Sequence, residues 1–378
     1  MTRGSDPALE MQEERERRAL FLLNHMQGML SDKLLKIHEY FGSFEEAYSR
    51  DADIYLEAGI FKKEQFRENY ENLRRNEGRL LKKYEQVKNS GIRMIMLTDS
   101  EYPIRLRVIR DRPPLLYVGG KLPDENRPTV GIIGSRKCSE YGKSVAEFFA
   151  GELAARGIQI ISGLAYGIDA SAAAGSLRTA SESYGVLGCG VNVCYPRENW
   201  PLYHRMKLGE GGVISEFPPD DDALGFHFIL RNRLIAGLSD VLIVIEAAER
   251  SGTSTTVGFA LDQGKEVFAL PGRITDPLGF GCNRLLKDGA NVLTSPSDIL
   301  DYFGMGEETV LKMGEKDLSR LNGDEKKIYS VLGPKSQHVE AVASKSGFPL
   351  GEALSLLAGL EAKGYAVSPR GAYYRRNV

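Results

Sequence analysis

The sequence predicts an α/β protein built on a doubly wound, mainly parallel sheet, with a helical region before it and a winged helix-turn-helix after it. Three observations carry this. Residues 130–169 read as strand, helix, strand, and such a βαβ unit implies a parallel sheet covered by helices. The same alternation continues to about residue 300, in apolar runs that lack a polar face, as suits strands buried on both sides. Residues 320–378 then show three short helices and a hairpin.

At 378 residues the chain has room for two or three domains. The expected division is a helical domain over 1–90, the sheet domain over 91–303, a charged linker over 304–319 and the winged helix over 320–378. In the first, Leu20 to Leu23, Leu34, Leu35, Ile37, Ile54 and Leu56 supply apolar faces, and 61–88 reads as one charged helix. Strands follow at 92–97 and 115–118, and a polar connector with two prolines leads to 130. Further strands are expected at 130–133, 158–161, 185–188, 212–215, 241–245 and 267–270. Helices are expected around 145–153, 228–237 and 257–263. The tail should hold helices at 324–332, 339–345 and 350–363, then a hairpin turning near Pro369-Arg370-Gly371. It carries nine Lys and Arg against five acids, but its third helix has almost no side chains for reading bases. Protein docking suits it at least as well as duplex binding.

Composition narrows the function. Net charge is −2, from 49 basic and 51 acidic residues, so any nucleic-acid binding must rest on local clustering. Cys138, Cys189, Cys194 and Cys282 form no C-x-x-C pair, and the five histidines form no ligand-spaced pair. Neither a metal site nor a disulfide frame is expected, and the thiols read as reduced and cytosolic. The charged stretch 10–18 is unlike a signal peptide, and no apolar run approaches the ~20 residues of a membrane helix. A cytoplasmic protein with no membrane partner is the expectation.

The ends of the strands carry the candidate site. Gly134-Ser135-Arg136 follows the first strand of the βαβ unit, and Ser162-Gly163-Leu164-Ala165-Tyr166-Gly167-Ile168-Asp169 follows the second. Small residues before a helix let backbone N–H groups meet an anion. The spacing is not that of a dinucleotide loop, and there is no G-x-x-x-x-G-K-[ST], so no cofactor and no ATP hydrolysis are indicated. Arg136, Arg197, Arg231 and Arg233 are candidate phosphate cations. Ser162, Gly163, Gly167 and Ser251-Gly252-Thr253 are candidate donors, and Phe226 and Phe228 are candidate base-stacking rings. Any one arginine alone fits a surface ion pair better, and Phe228 alone fits core packing equally. Their co-occurrence at strand ends favours single-stranded nucleic acid. Asp169, Glu216 and Glu246 have no evident nucleophile or metal partner, so no catalytic residue is assigned; Asp169 reads as a support for its own loop.

These motifs, with Tyr195-Pro196-Arg197-Glu198-Asn199, the run from Phe228 to Ser239, Arg250-Ser251-Gly252-Thr253 and the run from Gly281 to Ala290, resemble the bacterial DNA-processing protein A family (DprA, also called Smf). The resemblance spans about 130–294. It implies an extended Rossmann-like domain, with a SAM-like helical domain and a winged helix as in longer members. It implies a non-enzymatic protein that binds single-stranded DNA, forms a homodimer and loads a RecA-type recombinase during natural transformation. On that resemblance the DNA site comprises Gly134, Ser135, Arg136, Ser162, Gly163, Gly167, Arg197, Phe228, Arg231, Asn232, Arg233, Ser251, Gly252 and Thr253. The dimer face would include Asn283, Leu286 and Val292. One departure stands out: some members carry a lysine where this chain has Gly225, after Asp220-Asp221-Asp222. The rival reading is a nucleotide-binding enzyme similar to lysine-decarboxylase-like phosphoribohydrolases, whose P-G-G-x-G-T-x-x-E glutamate has no counterpart in 249–256.

Overall fold

Short apolar runs rich in Val and Ile, each closed by glycine or serine, make a sheet whose strands are four to six residues long over most of its width. The computed structural model describes residues 7–61, 64–249, 251–305, 318, 321–333, 337–370 and 372–376. Arg250, Gly371 and most of the expected linker lie outside the described residues. The chain divides into two units, 1–305 and 306–378.

The first unit opens with helices α1 (Pro7–Asn24), α2 (Ser31–Phe41), α3 (Phe44–Ser49), α4 (Ala52–Glu57), α5 (Glu64–Arg75) and α6 (Glu77–Asn89). The single helix expected over 61–88 is therefore two, broken at Asn76. There follow β1 (Arg93–Met96), α7 (Ile104–Arg107), β2 (Leu115–Gly120), β3 (Thr129–Ile133), α8 (Glu140–Ala155), β4 (Gln159–Ser162), α9 (Ile168–Arg178) and β5 (Ser183–Val186). Then come α10 (Trp200–Lys207), β6 (Gly211–Ser215), α11 (Gly225–Leu238), β7 (Val241–Val244), α12 (Thr253–Asp262), β8 (Glu266–Ala269), α13 (Phe280–Lys287), β9 (Asn291–Val292) and α14 (Pro296–Tyr302). Helix α12 begins four residues earlier than the apolar pattern at Val257 suggests, because its first turn is Thr-Ser-Thr-Thr and carries no apolar signal.

The sheet runs β1-β2-β6-β5-β4-β3-β7-β8-β9, antiparallel at β1/β2 and β2/β6 and parallel elsewhere. From β3 the chain winds outward through β4, β5 and β6, then returns to lay β7 beside β3. The reversal leaves a crevice at the carboxyl ends of β3 and β7, where open α/β sheets bind ligands. Both faces are covered. Val130, Ile132, Ile160 and Ile243 pack under Phe149 and Leu153 on one side. Ile133, Ile161 and Val244 pack under Leu234, Leu238 and Val257 on the other.

The N-terminal helices share one core with the sheet: Leu20, Phe21 and Tyr84 lie in the same cluster as Met94, Leu115, Tyr117 and Met206. Residue 90 is thus no gap in the packing. Polar bonds cross the same junction. The Tyr117 hydroxyl donates to Asn24 Oδ1 at 2.9 Å, and the Ser31 hydroxyl donates to Glu216. Glu216 in turn takes two bonds from Arg233, at 2.5 and 2.7 Å, with both side chains about 6% exposed.

The second unit holds α15 (Gly323–Val331), β10 (Gln337–His338), α16 (Val339–Ser346), α17 (Leu350–Ala362), β11 (Ala366–Arg370) and β12 (Tyr373–Arg376). Its sheet order is β10-β12-β11. Ile328, Val342, Leu357 and Leu360 form its core. These boundaries lie within a residue or two of those expected.

Removing one partner of a buried ion pair strands the other charge. Glu216→Ala should therefore cost about 3 kcal/mol or more. Urea denaturation followed by the fluorescence of Trp200, the chain's single tryptophan, measures this on the first unit alone.

Candidate functional site

The loop after β3 folds back on itself. Ser135 N–H donates to the Glu246 carbonyl at 2.7 Å, and Lys137 N–H donates to Ser135 Oγ at 3.2 Å. That turn throws Arg136 and Lys137 outward, both exposed. The loop ends at Ser139, which caps α8 by accepting from Gly142 N–H at 2.9 Å. The Glu246 carboxylate receives Ser139 N–H at 2.8 Å and its hydroxyl at 2.5 Å. Glu246 therefore anchors a helix start and is not a free acid or base.

The loop after β4 is held from beneath. Gly163 N–H donates to Asp169 Oδ2 at 2.9 Å, and Arg231 Nη1 donates to Gly163 O at 2.7 Å and also to Val186 O. A Cβ on Gly163 would lie 2.7 Å from both Arg231 Nη2 and Asp169 Oδ2, so only glycine fits there. Asn199 Nδ2 donates to Leu164 O at 2.9 Å and Ala165 O at 3.1 Å, fixing Leu164 at φ 50°. Gly167, at φ 77°, lets the loop pass against the Arg136 carbonyl and opens α9. Burial pushes the Asp169 carboxyl up, against the pull of Arg231, and pulls the Arg231 guanidinium down to about 10.

Above this base stands an aromatic and cationic rim. Phe228, half-buried, packs on Gly188; its ring centroid is 5.3 Å from that of Tyr195, which is 44% exposed. Arg136 Cζ sits 5.3 Å from the Phe228 centroid, within cation–π range. Arg197 and Phe226 are exposed nearby in sequence. On the other side of Arg136 a cavity of about 560 Å³ opens between the ends of β3, β4 and β7, lined among others by Gly134, Asp169, Asn232, Ser251 and Gly252. Among the described residues, no three His, Cys, Asp or Glu side chains gather as a metal-binding group.

The structure thus brings Gly134, Ser135, Arg136, Arg231, Asn232, Ser251, Gly252 and Thr253 around one cavity, with Phe228 at its rim. Several expectations need correction. Arg233 is spent on Glu216 and on the Asp111 carbonyl, so it is a tie to the body of the fold and not a phosphate ligand. Arg231 lines the cavity but is 3% exposed, and its guanidinium serves the loop backbone. Ser162 is fully buried, and the Gly163 N–H is already taken. Asn283 spends its amide on both backbone groups of Gly272, at 3.0 Å each. Tyr195 and Lys137 were not singled out from the sequence; a lysine beside Arg136 was visible there, whereas the exposure of Tyr195 was not.

The acidic run before α11 is partly neutralised. Asp220 pairs with Lys83 at 3.0 Å and accepts from Asn192 at 2.7 Å. Burial pushes the Asp221 carboxyl up to about 6, with Asp222 and Asp220 adding to the shift against Lys83.

An open, mainly parallel sheet with glycine-rich loops, unpaired cations and an aromatic ring at its switch point defines an α/β protein with a candidate anion site. Comparison with known proteins narrows this. The family described as DNA recombination-mediator protein A matches residues 93–304. Protein Smf of Escherichia coli is 36% identical over 286 residues, 73% of this chain and 76% of that protein. The DNA processing protein DprA of Streptococcus pneumoniae is 35% identical over 277 residues, 73% of this chain and 94% of that one. The X-ray structure of DprA from Streptococcus pneumoniae superposes with a TM-score of 0.63 at 33% identity, covering 74% of this chain and 95% of its own. That of DNA processing protein A from Helicobacter pylori, described for its single-stranded DNA binding mode, gives 0.50 at 28% identity, over 57% of this chain and 97% of its own. The chain belongs to the DprA/Smf family of DNA-processing proteins. Among the described residues no helix is long and apolar enough to cross a membrane.

Two outcomes follow from the site's supports. Gly163→Ala should displace Arg231 or Asp169 and lower stability by about 1–3 kcal/mol, read from the urea midpoint. For Asp221, the folded chain holds a proton between its ordinary value of 3.8 and about 6 that the unfolded chain has released. Its contribution to stability therefore falls as pH rises across that window and stays lowest above it. Asp221→Asn should raise the urea midpoint at about pH 7.5, and the gain should vanish near pH 4.

Proposed function

We propose that this chain binds single-stranded DNA at the carboxyl edge of its sheet, without chemistry of its own, and passes the strand to a RecA-type recombinase as a homodimer. The observation that carries the reading is Arg136: an exposed guanidinium with no acidic partner among the described residues, poised between the Phe228 ring and the cavity. A phosphate beside an arginine, with a base stacked on an adjacent ring, is how sequence-independent single-strand binding works. Loops that present Arg136, Lys137 and Arg197 together offer the local positive charge that a chain of net charge −2 otherwise lacks. Membership of a DNA-processing family, one of whose solved members is described for its single-stranded DNA binding mode, supports the same substrate. The enzyme reading finds less support, since Glu246, the carboxylate at the end of β7, is engaged by Ser139.

Dimerisation is proposed through the edge strand β9. Val292 there is 54% exposed, and an edge strand with open backbone groups invites pairing. Leu286, half-buried on α13, lies just before it in the chain. The second unit reads as a winged helix whose α17 presents Leu350 and Leu354 and no basic side chain in its first three turns, which favours a protein partner over duplex.

Arg136→Ala should weaken binding of a labelled oligo-dT at least tenfold or so, with the circular dichroism spectrum unchanged. The slope of log affinity against log salt should shallow by about 0.7, the share of one phosphate contact. An affinity equal to that of the parent chain would remove Arg136 from the site.

A further inference from the structure

We propose that the inner end of the switch-point cavity is a subsite for a phosphomonoester: a nucleoside 5′-monophosphate, arriving either at a strand terminus or as a free nucleotide. The proposal deepens the strand-binding reading of the same cavity, and its free-nucleotide form stands apart from that reading.

Two hydroxyls carry it. Thr253 and Thr256 lie three residues apart at the start of α12, line the cavity, and are 8% and 3% exposed. No hydrogen bond joins either hydroxyl to another described residue. Their neighbours are otherwise occupied. Ser135 accepts from Lys137, Ser139 bonds Glu246, Ser162 accepts from Leu164 N–H, and Ser254 donates to the Ser251 carbonyl. Two unspent hydroxyls on buried side chains, open to one cavity, are free to bond a ligand there.

The surroundings say which partner. Helix α12 is ten residues long and starts from Gly252, which has no side chain to cap it; Ser254 and Thr255 N–H bond the Ser251 and Gly252 carbonyls at 3.2 Å each, which leaves the Thr253 N–H to add to the donor set. Arg136 lines the cavity from the far side and Lys137 stands beside it, supplying positive charge. The one carboxylate in the lining, Asp169, is engaged by Gly163 N–H and flanked by Arg231. Ile133, Ile235 and Leu278 give the rest of the wall an apolar surface suited to a sugar and base. A cavity of about 560 Å³ is of the size that small ligands fill.

A monoester fits this better than a diester within a running strand. Threonines exposed by only a few per cent lie at depth, where a terminus reaches but a strand that must also leave does not. A terminal phosphate brings three oxygens and close to two charges, which matches a site rich in donors and poor in acceptors.

The test uses the full chain and two matched pairs in calorimetric titrations: 5′-phosphorylated against 5′-hydroxyl oligo-dT, and thymidine 5′-monophosphate against thymidine. In at least one pair the phosphorylated member should bind about tenfold tighter, the worth of a charge-assisted bond or two. A preference in the oligonucleotide pair alone assigns the subsite to strand ends, and one in the nucleotide pair alone assigns it to free nucleotides. Thr256→Val should bring the ratio close to one, while Thr256→Ser, which keeps the hydroxyl, should retain it. Ratios near one in both pairs with the parent chain overturn the proposal, and need no variant. A preference that survives in a folded Thr256→Val also overturns it. If no oligonucleotide binds but the monophosphate is still preferred, the strand-binding reading falls and the subsite stands.

Discussion

The loop after β4 rests on two opposite charges closed around a glycine. Arg231 reaches up from α11 and Asp169 back from α9, and both meet the backbone of Gly163 from below. Neither charge is exposed, so each needs the other and the backbone dipoles between them. Because the clamp consumes the donors on the underside, the loop's upper surface is left to Tyr166 and to the turn that begins α9. Arg136, on the neighbouring loop, is tied to this assembly through the bond from Ile168 N–H to Ser135 O at 3.3 Å. A hydrogen-bonded floor therefore carries an exposed cation with no acidic partner among the described residues.

The same economy recurs around the site. Charges that a sequence offers as ligands turn out to be of two kinds: those that build the shelf and those that stand on it. Arg231, Arg233, Asp169 and Glu246 build it. Arg136, Lys137 and Arg197 stand exposed on it, Arg136 against the Phe228 ring that pairs with Tyr195. The acids before α11 are drawn toward the helical N-terminal region by Lys83, so the absent lysine at Gly225 is not accompanied by three free negative charges.

Much of this was legible beforehand, for identifiable reasons. Doubly buried strands write themselves as apolar runs, and the loops that follow them as small residues, so β3, β4, β6 and β7 and the loops that surround the cavity could be read directly. What could not be read was commitment. An arginine at 231 and one at 233 look alike in sequence, and both differ from Arg136 only in that helix α11 turns them inward. Polar helix starts were equally silent: α12 opens on hydroxyl residues, so its true beginning, and with it Thr256 in the cavity, escaped the periodicity at Val257. The shared core of the N-terminal helices with β1 and β2 was hidden too, since a change of composition near residue 90 marks a change of secondary structure and not a gap in packing.

The central claim is that the strand lies at the carboxyl edge of the sheet. Photocrosslinking with an oligo-dT carrying 5-iodouracil, followed by peptide mapping, tests it most directly, because the halogenated base couples to a ring on which it stacks. The account predicts adducts at Phe228 or Tyr195, lost when unlabelled oligo-dT competes. Adducts confined to residues 321–376 or to α1–α6 would place the strand elsewhere and contradict it.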